Sequence, residues 1–324
     1  MNEVRYLGIN ELKNFLKDAL ELPDKEDKTE LFGLKARISG YILSQSQKNI
    51  PSPGYTYEAD ITDFWNEFKE LKKECGYHLS FNTLMMKVLA EGLKAAPRLN
   101  AHLVFNDKTL CGKLIIKKHI NVAMPVIMDN GETFPLNVQH VEDKSLEELT
   151  QQIEELTSKL KNTDVNSVLL DMVSQRYIGY VLKGKNLVTT LAQAATGFVG
   201  KYKVTNLSSL VKKKEPRDET QLSISELKEG TVCLTNWGNL YEGLHGDVTY
   251  TPLLYPQVFL MAIGNIRDRE VPFKNEKGEI DLATKKVLPI TLLFDHRIGG
   301  FNDVMPFIRK VDEIFENPEI IKTW

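Results

Sequence analysis

The stretch from Lys286 to Phe301 constrains the chain most: Lys-Val-Leu-Pro-Ile-Thr-Leu-Leu-Phe-Asp-His-Arg-Ile-Gly-Gly-Phe. Val287 to Phe294 is a short apolar run closed by polar and glycine residues, the pattern of a buried strand. Asp295-His296-Arg297 follows directly, Gly299-Gly300 permits a tight turn, and an apolar-periodic helix comes next. A histidine at the end of a buried strand is held in place by the scaffold, and adjacent charges can tune its pKa. Local sequence leaves two readings open: a general acid–base group, or a structural histidine beside an ion pair.

The rest of the chain sets limits on function. Its 324 residues suffice for one large domain or two small ones. A formal net charge of −3 argues against a protein held on nucleic acid by general electrostatics. Cys75, Cys111 and Cys233 are widely spaced and show no metal-binding pattern, and their odd number suits a reducing compartment. The first residues carry no signal-peptide pattern, and no apolar run is long enough to span a bilayer. The expectation is a cytoplasmic protein without a transmembrane segment.

Residues 1–30 read as a short helix, Asn10 to Leu20, and a charged connector. A helix over residues 35–43 should stop before Ile50-Pro51-Ser52-Pro53-Gly54. Tyr55 to Ile61 alternates like a half-buried strand, and Thr62 or Asp63 is placed to cap the helix after it. Ser80 should cap the clearest helix, with Phe81, Leu84, Met85, Val88, Leu89 and Leu93 at helical spacing and Pro97 beyond its end. Strands are expected at His102–Phe105, Leu114–Ile116, His119–Val126 and Thr231–Asn236. Lys144 to about Leu160 reads as an amphipathic helix, and 165–214 as two short helices broken near Gly184. That last segment reads as a cap over the core or, second, as a membrane-surface or partner-binding element.

Several of these stretches resemble the 2-oxo acid dehydrogenase acyltransferases, enzymes related in fold to chloramphenicol acetyltransferase. Leu288 to Arg297 resembles their C-terminal active-site strand and Asp-His-Arg motif. Ser80-Phe81 to Lys87, with Pro97-Arg98-Leu99-Asn100-Ala101, resembles a second family motif. Asn121-Val122-Ala123, Lys144-Ser145-Leu146, Gly230 to Asn236, Pro256-Gln257 and Glu316-Asn317-Pro318 follow in family order. The likeness covers roughly 35–160 and 222–321. The family writes Asp-Gly after Asp-His-Arg and two further residues; here Gly300 stands at the aspartate's position, or one residue is missing and Gly299-Gly300 replaces Asp-Gly, and either way the aspartate is lost.

The resemblance implies an α/β two-layer sandwich, with a mixed β-sheet covered by helices and a strand along Phe259–Arg269. It implies an acyltransferase catalytic domain over 31–324, with an insertion at about 165–214 and no lipoyl or subunit-binding domain. The implied reaction is acyl transfer between a dihydrolipoyl thiol and coenzyme A, with acyl-CoA or CoA as substrate, no covalent lipoyl on this chain and no metal. His296 falls on the family's base and Thr235 on its serine oxyanion donor. Asp295, Arg297 and Asn236 would support them, and another carboxylate, such as Asp303, would replace the missing aspartate. His78, His102, His119, His140 and His245 are read as structural or surface residues. The implied partners are two further copies in a homotrimer or a multiple of one, and a lipoyl-carrying protein in trans. The alternative is a catalytically relaxed oligomeric scaffold of the same fold that recruits partners.

Overall fold

The computed structural model describes residues 28, 30–107, 109–128, 131, 133–182, 218–227, 230–238 and 246–324. The expected helix at Asn10–Leu20 and the expected break near Gly184 lie outside them. The chain divides into two compact units, Met1–Tyr41 with Asn162–Ile224, and Ile42–Lys161 with Ser225–Trp324. In the first unit, the described part of the insertion is a helix of 18 residues, Val165–Leu182. Its N-terminal approach is tied down where Thr163 Oγ1 accepts from the Leu222 backbone N–H at 2.8 Å.

The second unit is built on a seven-stranded sheet. In chain order its strands are β1 (Gly54–Asp60), β4 (Val122–Ile127), β5 (Thr133–Val138), β6 (Val232–Asn236), β7 (Phe259–Ile263), β8 (Arg267–Lys274) and β9 (Ile280–Phe294). Two others, β2 (Ala101–Asn106) and β3 (Cys111–Ile116), form a separate hairpin. The sheet order is β1-β9-β7-β6-β4-β5, with β8 also paired to β9. Pairs β4/β6 and β6/β7 are parallel and the other pairs antiparallel, which makes the sheet mixed, as expected.

β9 is the spine of this unit. Leu288, Ile290, Leu292 and Leu293 have no exposed surface, so both faces of its second half are covered. Each such side chain contributes roughly 1.5–3 kcal/mol by leaving water. The strand begins seven residues before the expected Val287. Residues 280–286 lie beyond the apolar run and pair as a hairpin arm with β8. The single strand expected along Phe259–Arg269 is two. It breaks at Gly264, where a β-carbon would stand 2.9 Å from Asp247 Oδ1 and 3.1 Å from the Pro289 side chain.

The helices of this unit include α2 (Thr62–Glu74), α3 (Phe81–Ala95), α4 (Leu146–Lys161) and α6 (Phe301–Glu316); α1 is Leu34–Asn49 and α5 the insertion helix. Ser80 caps α3 as expected, accepting from the Thr83 N–H at 3.0 Å. Neither Thr62 nor Asp63 caps α2. The N-cap is Ile61, which offers no side-chain acceptor; Asp60 before it accepts from the Thr62 N–H at 3.0 Å and hydroxyl at 2.6 Å. α3 and α6 meet at Gly92, where a β-carbon would lie 2.5 Å from the Phe307 ring. Phe307 then packs edge-on against Phe259 of β7, ring centroids 4.8 Å apart, and joins the helical layer to the sheet.

Candidate active site

β9 ends at Phe294, and the chain turns at once into a short 3₁₀ segment, His296–Ile298. The turn is over-determined. Asp295 is 1% exposed, and its backbone N–H donates to the Val258 carbonyl at 2.9 Å. Its carboxylate accepts from Arg297 Nε at 2.9 Å, from a terminal guanidinium nitrogen at 2.6 Å and from the Arg297 backbone at 3.0 Å. The guanidinium also lies 5.6 Å from the centre of the Phe105 ring. Burying an ion pair costs solvation, which this bidentate geometry offsets.

This turn presents His296 to solvent. The His296 backbone N–H donates to the Pro51 carbonyl at 2.9 Å. Its Nδ1 stands 2.8 Å from the Gly299 carbonyl. A carbonyl only accepts, so in the neutral ring Nδ1 carries the hydrogen and Nε2 keeps its lone pair. That tautomer leaves Nε2 able to accept a proton.

The Gly299-Gly300 pair has a structural reason. Asp303, on the first turn of α6, folds its carboxylate back into the turn, where Oδ2 accepts from the Gly300 N–H at 3.0 Å. A β-carbon on Gly299 would collide with that same carboxylate. Asp303 Oδ1 also lies 3.3 Å from Arg98 Nε, and another Arg98 nitrogen donates to the Ile298 carbonyl at 2.6 Å. Arg98 and Asp303 thus brace the His296 turn from its far side. Arg98 lies in the Pro97-Arg98-Leu99-Asn100-Ala101 stretch, but nothing in the sequence marks it as a partner of residue 303.

Thr235 occupies β6, half-buried, and its hydroxyl has no hydrogen-bond partner among the described residues. Asn236 follows it, donating to Asn82 Oδ1 at 2.5 Å and accepting from the Gly238 N–H at 2.8 Å. Asn82 was not singled out from sequence. Gly238 lets the chain close on Gly264, whose carbonyl would stand 2.5 Å from a β-carbon there. The structure gathers Asp295, His296, Arg297 and Asp303 at one end of β9, and Thr235 with Asn236 elsewhere. Thr235 is level with Ala262 of β7, which is level with Thr291 of β9. From Thr291 to Phe294 alone is about 10 Å along the strand, and two strand spacings add about 10 Å across. Within one chain the hydroxyl and the imidazole do not share a reaction centre. His245 lies outside the described residues.

The chain is similar to known proteins along most of its length. The family model for the 2-oxoacid dehydrogenases acyltransferase (catalytic domain) matches residues 23–169 and 201–322. The dihydrolipoyllysine-residue acetyltransferase component of the pyruvate dehydrogenase complex of Staphylococcus epidermidis is 23% identical over 307 residues. That match takes in 94% of this chain and 54% of the relative, so the chain spans about half the length of the curated relatives it matches. Azotobacter vinelandii dihydrolipoamide acetyltransferase superposes with a TM-score of 0.61 at 17% identity, over 93% of this chain and 98% of that one. A probable dihydrolipoamide acetyltransferase of Listeria monocytogenes gives 0.60 at 18%, over 90% and 95%. The α/β fold is therefore that of these acetyltransferase cores. By the extent of the family match, the chain belongs to the 2-oxoacid dehydrogenase acyltransferases, through their catalytic domain.

Proposed function

We propose that the protein is a coenzyme A-dependent acyltransferase that moves an acyl group between thiols, of the dihydrolipoyl and CoA type. The observation that carries this is the His296 ring, its Nδ1–H held by the Gly299 carbonyl and its Nε2 left free. Nε2 takes the proton of the attacking thiol as sulfur bonds to the thioester carbonyl carbon. The carbonyl oxygen becomes an oxyanion, which the Thr235 hydroxyl stabilises as donor. Collapse breaks the bond to the departing sulfur, which takes the proton back from Nε2. The chain needs no nucleophile of its own, because the substrate supplies the sulfur. An oxyanion donor of this kind is worth roughly a hundredfold to a thousandfold in rate.

The separation of Thr235 from His296 supports a site between copies, His296 from one and Thr235 from the next, in a homotrimer or a multiple of one. The exposed β8–β9 hairpin supports assembly too, since Val271, Phe273, Ile280 and Leu282 are 38–78% exposed on it. One solved relative is the cubic core of a pyruvate dehydrogenase multienzyme complex, with a TM-score of 0.60 at 18% identity. Another has been investigated for the catalytic roles of a serine, a histidine and an asparagine. Asp295 and Arg297 hold the turn, Asn236 sets the end of β6, and Asp303 with Arg98 takes the place of the family's second aspartate.

The test is purified protein with acyl-CoAs and reduced lipoamide, followed through free thiol. Turnover that disappears in His296→Ala is expected. No turnover with any acyl-CoA would favour the scaffold reading instead.

A further inference from the structure

A second cluster of side chains sits where the chain enters β4 and where it turns towards α4. We infer that His119, His140, Glu142 and Asp143 form a binding site for a divalent late first-row transition cation, of which zinc is the type. One imidazole nitrogen from each histidine and one oxygen from each carboxylate all lie within 4.8 Å of one another. Ligand atoms around tetrahedral zinc, at bonds of about 2.0–2.2 Å, stand roughly 3.4 Å apart. Small side-chain rotations would close the cluster to that spacing. Two imidazoles with two carboxylates suit zinc and its neighbours, whereas magnesium and calcium prefer oxygen alone.

The site is built before any cation arrives. His119 Nδ1 is 2.9 Å from Glu142 Oε1 and 4.0 Å from Asp143 Oδ2, and the two imidazole rings stand 4.2 Å apart. Glu142 Oε2 accepts from the Ile120 N–H at 2.9 Å. Asn100 Nδ2 donates to the His119 carbonyl at 3.1 Å, and the Val141 N–H to the Ile120 carbonyl at 3.0 Å. His140 has φ 56° and ψ 46°, a left-handed conformation uncommon for a residue with a side chain. Its N–H donates to Asn121 Oδ1 at 3.1 Å.

The ammonium groups of Lys87, Lys94 and Lys144 hydrogen-bond to acceptors other than the Glu142 and Asp143 carboxylates. Lys87 Nζ donates to the carbonyls of Val141, Glu142 and Lys144. Lys144 Nζ donates to the Gln139 carbonyl and to Gln152, and Lys94 Nζ to Glu91 and to the Glu142 carbonyl. A bound cation would clip the approach to β4 onto the turn before α4. β4 is three strand spacings from β9, about 14 Å, so the clip stabilises the fold without entering the chemistry at His296.

The experiment uses untagged full chain, with Cys75→Ser and Cys111→Ser to remove the accessible thiols, stripped by EDTA and desalted. Zn²⁺ is titrated by calorimetry, thermal unfolding is recorded with and without Zn²⁺, and Co²⁺ is added for its visible spectrum. One equivalent of Zn²⁺, a rise of a few degrees in Tm and an intense tetrahedral Co²⁺ spectrum are expected. His119→Gln and His140→Asn should abolish all three, and Asn tolerates the left-handed backbone. Asp143→Asn, at an exposed position, is the variant that keeps the test alive should either histidine change prevent folding, and it should weaken Zn²⁺ binding at least tenfold. Absence of binding, binding unchanged in the variants, or an equal Tm rise with Mg²⁺ would overturn the inference.

Discussion

Thr235 lies on β6 of the sheet, and His296 just beyond the end of β9, at a different place. Thr235 is level with Ala262 and Thr291, whereas His296 follows Phe294, which is level with Phe259. If catalysis needs both, each site takes one of them from a second copy. Two inactive variants should then rescue each other. His296→Ala alone and Thr235→Val alone are expected to lose nearly all and more than tenfold of the turnover, respectively. Co-expressed, they should regain activity, because some sites pair an intact His296 with an intact Thr235. A mixture no more active than its parts would show that both residues act within one chain, or that one of them does not act. Thr235→Ser should stay close to wild type, since the donor remains.

The Arg98–Asp303 brace makes a separate prediction. Asp303 accepts the Gly300 N–H and faces Arg98, which holds the Ile298 carbonyl. Asp303→Ala removes a helix cap and should cost about 1 kcal/mol of stability. It should lower kcat more than tenfold while leaving KM little changed, because the turn that aims His296 loosens. Arg98→Ala should do the same, and the double variant should be no worse than the more damaging single one. Additive losses in a double-mutant cycle would mean that the two side chains act separately.

Asp295 and Arg297 differ from that brace in burial, and so in cost. Asp295 is 1% exposed and its carboxylate meets Arg297 through two guanidinium nitrogens. Arg297→Met leaves a buried carboxylate unpaired and should cost about 3–5 kcal/mol in urea unfolding. Arg297→Lys should recover only part of this, since an ammonium cannot make the forked contact. A loss below 1 kcal/mol for Arg297→Met would show that the pair does not hold the turn.

Much of this was legible in the sequence because it is local. Ser80 before a helical apolar pattern marks a cap that the structure contains, and Val287–Phe294 marks a buried strand that it also contains. What was not legible depends on contacts far apart in the chain. The β9 extension is mostly exposed and mixes apolar with polar residues, so its strand character comes from its pairing with β8. Arg98 meets Asp303, and His119 meets Glu142 and His140, only after folding. Gly299-Gly300 looked like the loss of an aspartate. In three dimensions a carboxylate from the next helical turn fills the space that a Gly299 side chain would need.

The thiol nearest Thr235 in sequence, that of Cys233, should not compete with the proposed thiol substrates. Cys233 precedes Thr235 by two residues on β6, among Ile50, Ala123, Leu253, Leu260, Ala262 and Leu293. Burial pushes its pKa from 9.0 up to about 12, so the thiol stays protonated and unreactive in the folded chain. Cys111 is exposed and Cys75 partly so. A thiol-specific disulfide reagent at neutral pH should therefore label Cys111 fast, Cys75 more slowly and Cys233 only after denaturation. The same shift fixes a pH dependence. Above pH 9 the unfolded chain releases the Cys233 proton while the folded chain keeps it, so the unfolded state binds fewer protons and stability falls as pH rises towards 12. The urea midpoint should drop between pH 8 and pH 10 by more in the wild type than in Cys233→Ala, each compared with its own value at pH 8. Equal drops, or labelling of Cys233 as fast as Cys111, would mean that β6 opens to solvent in the native state.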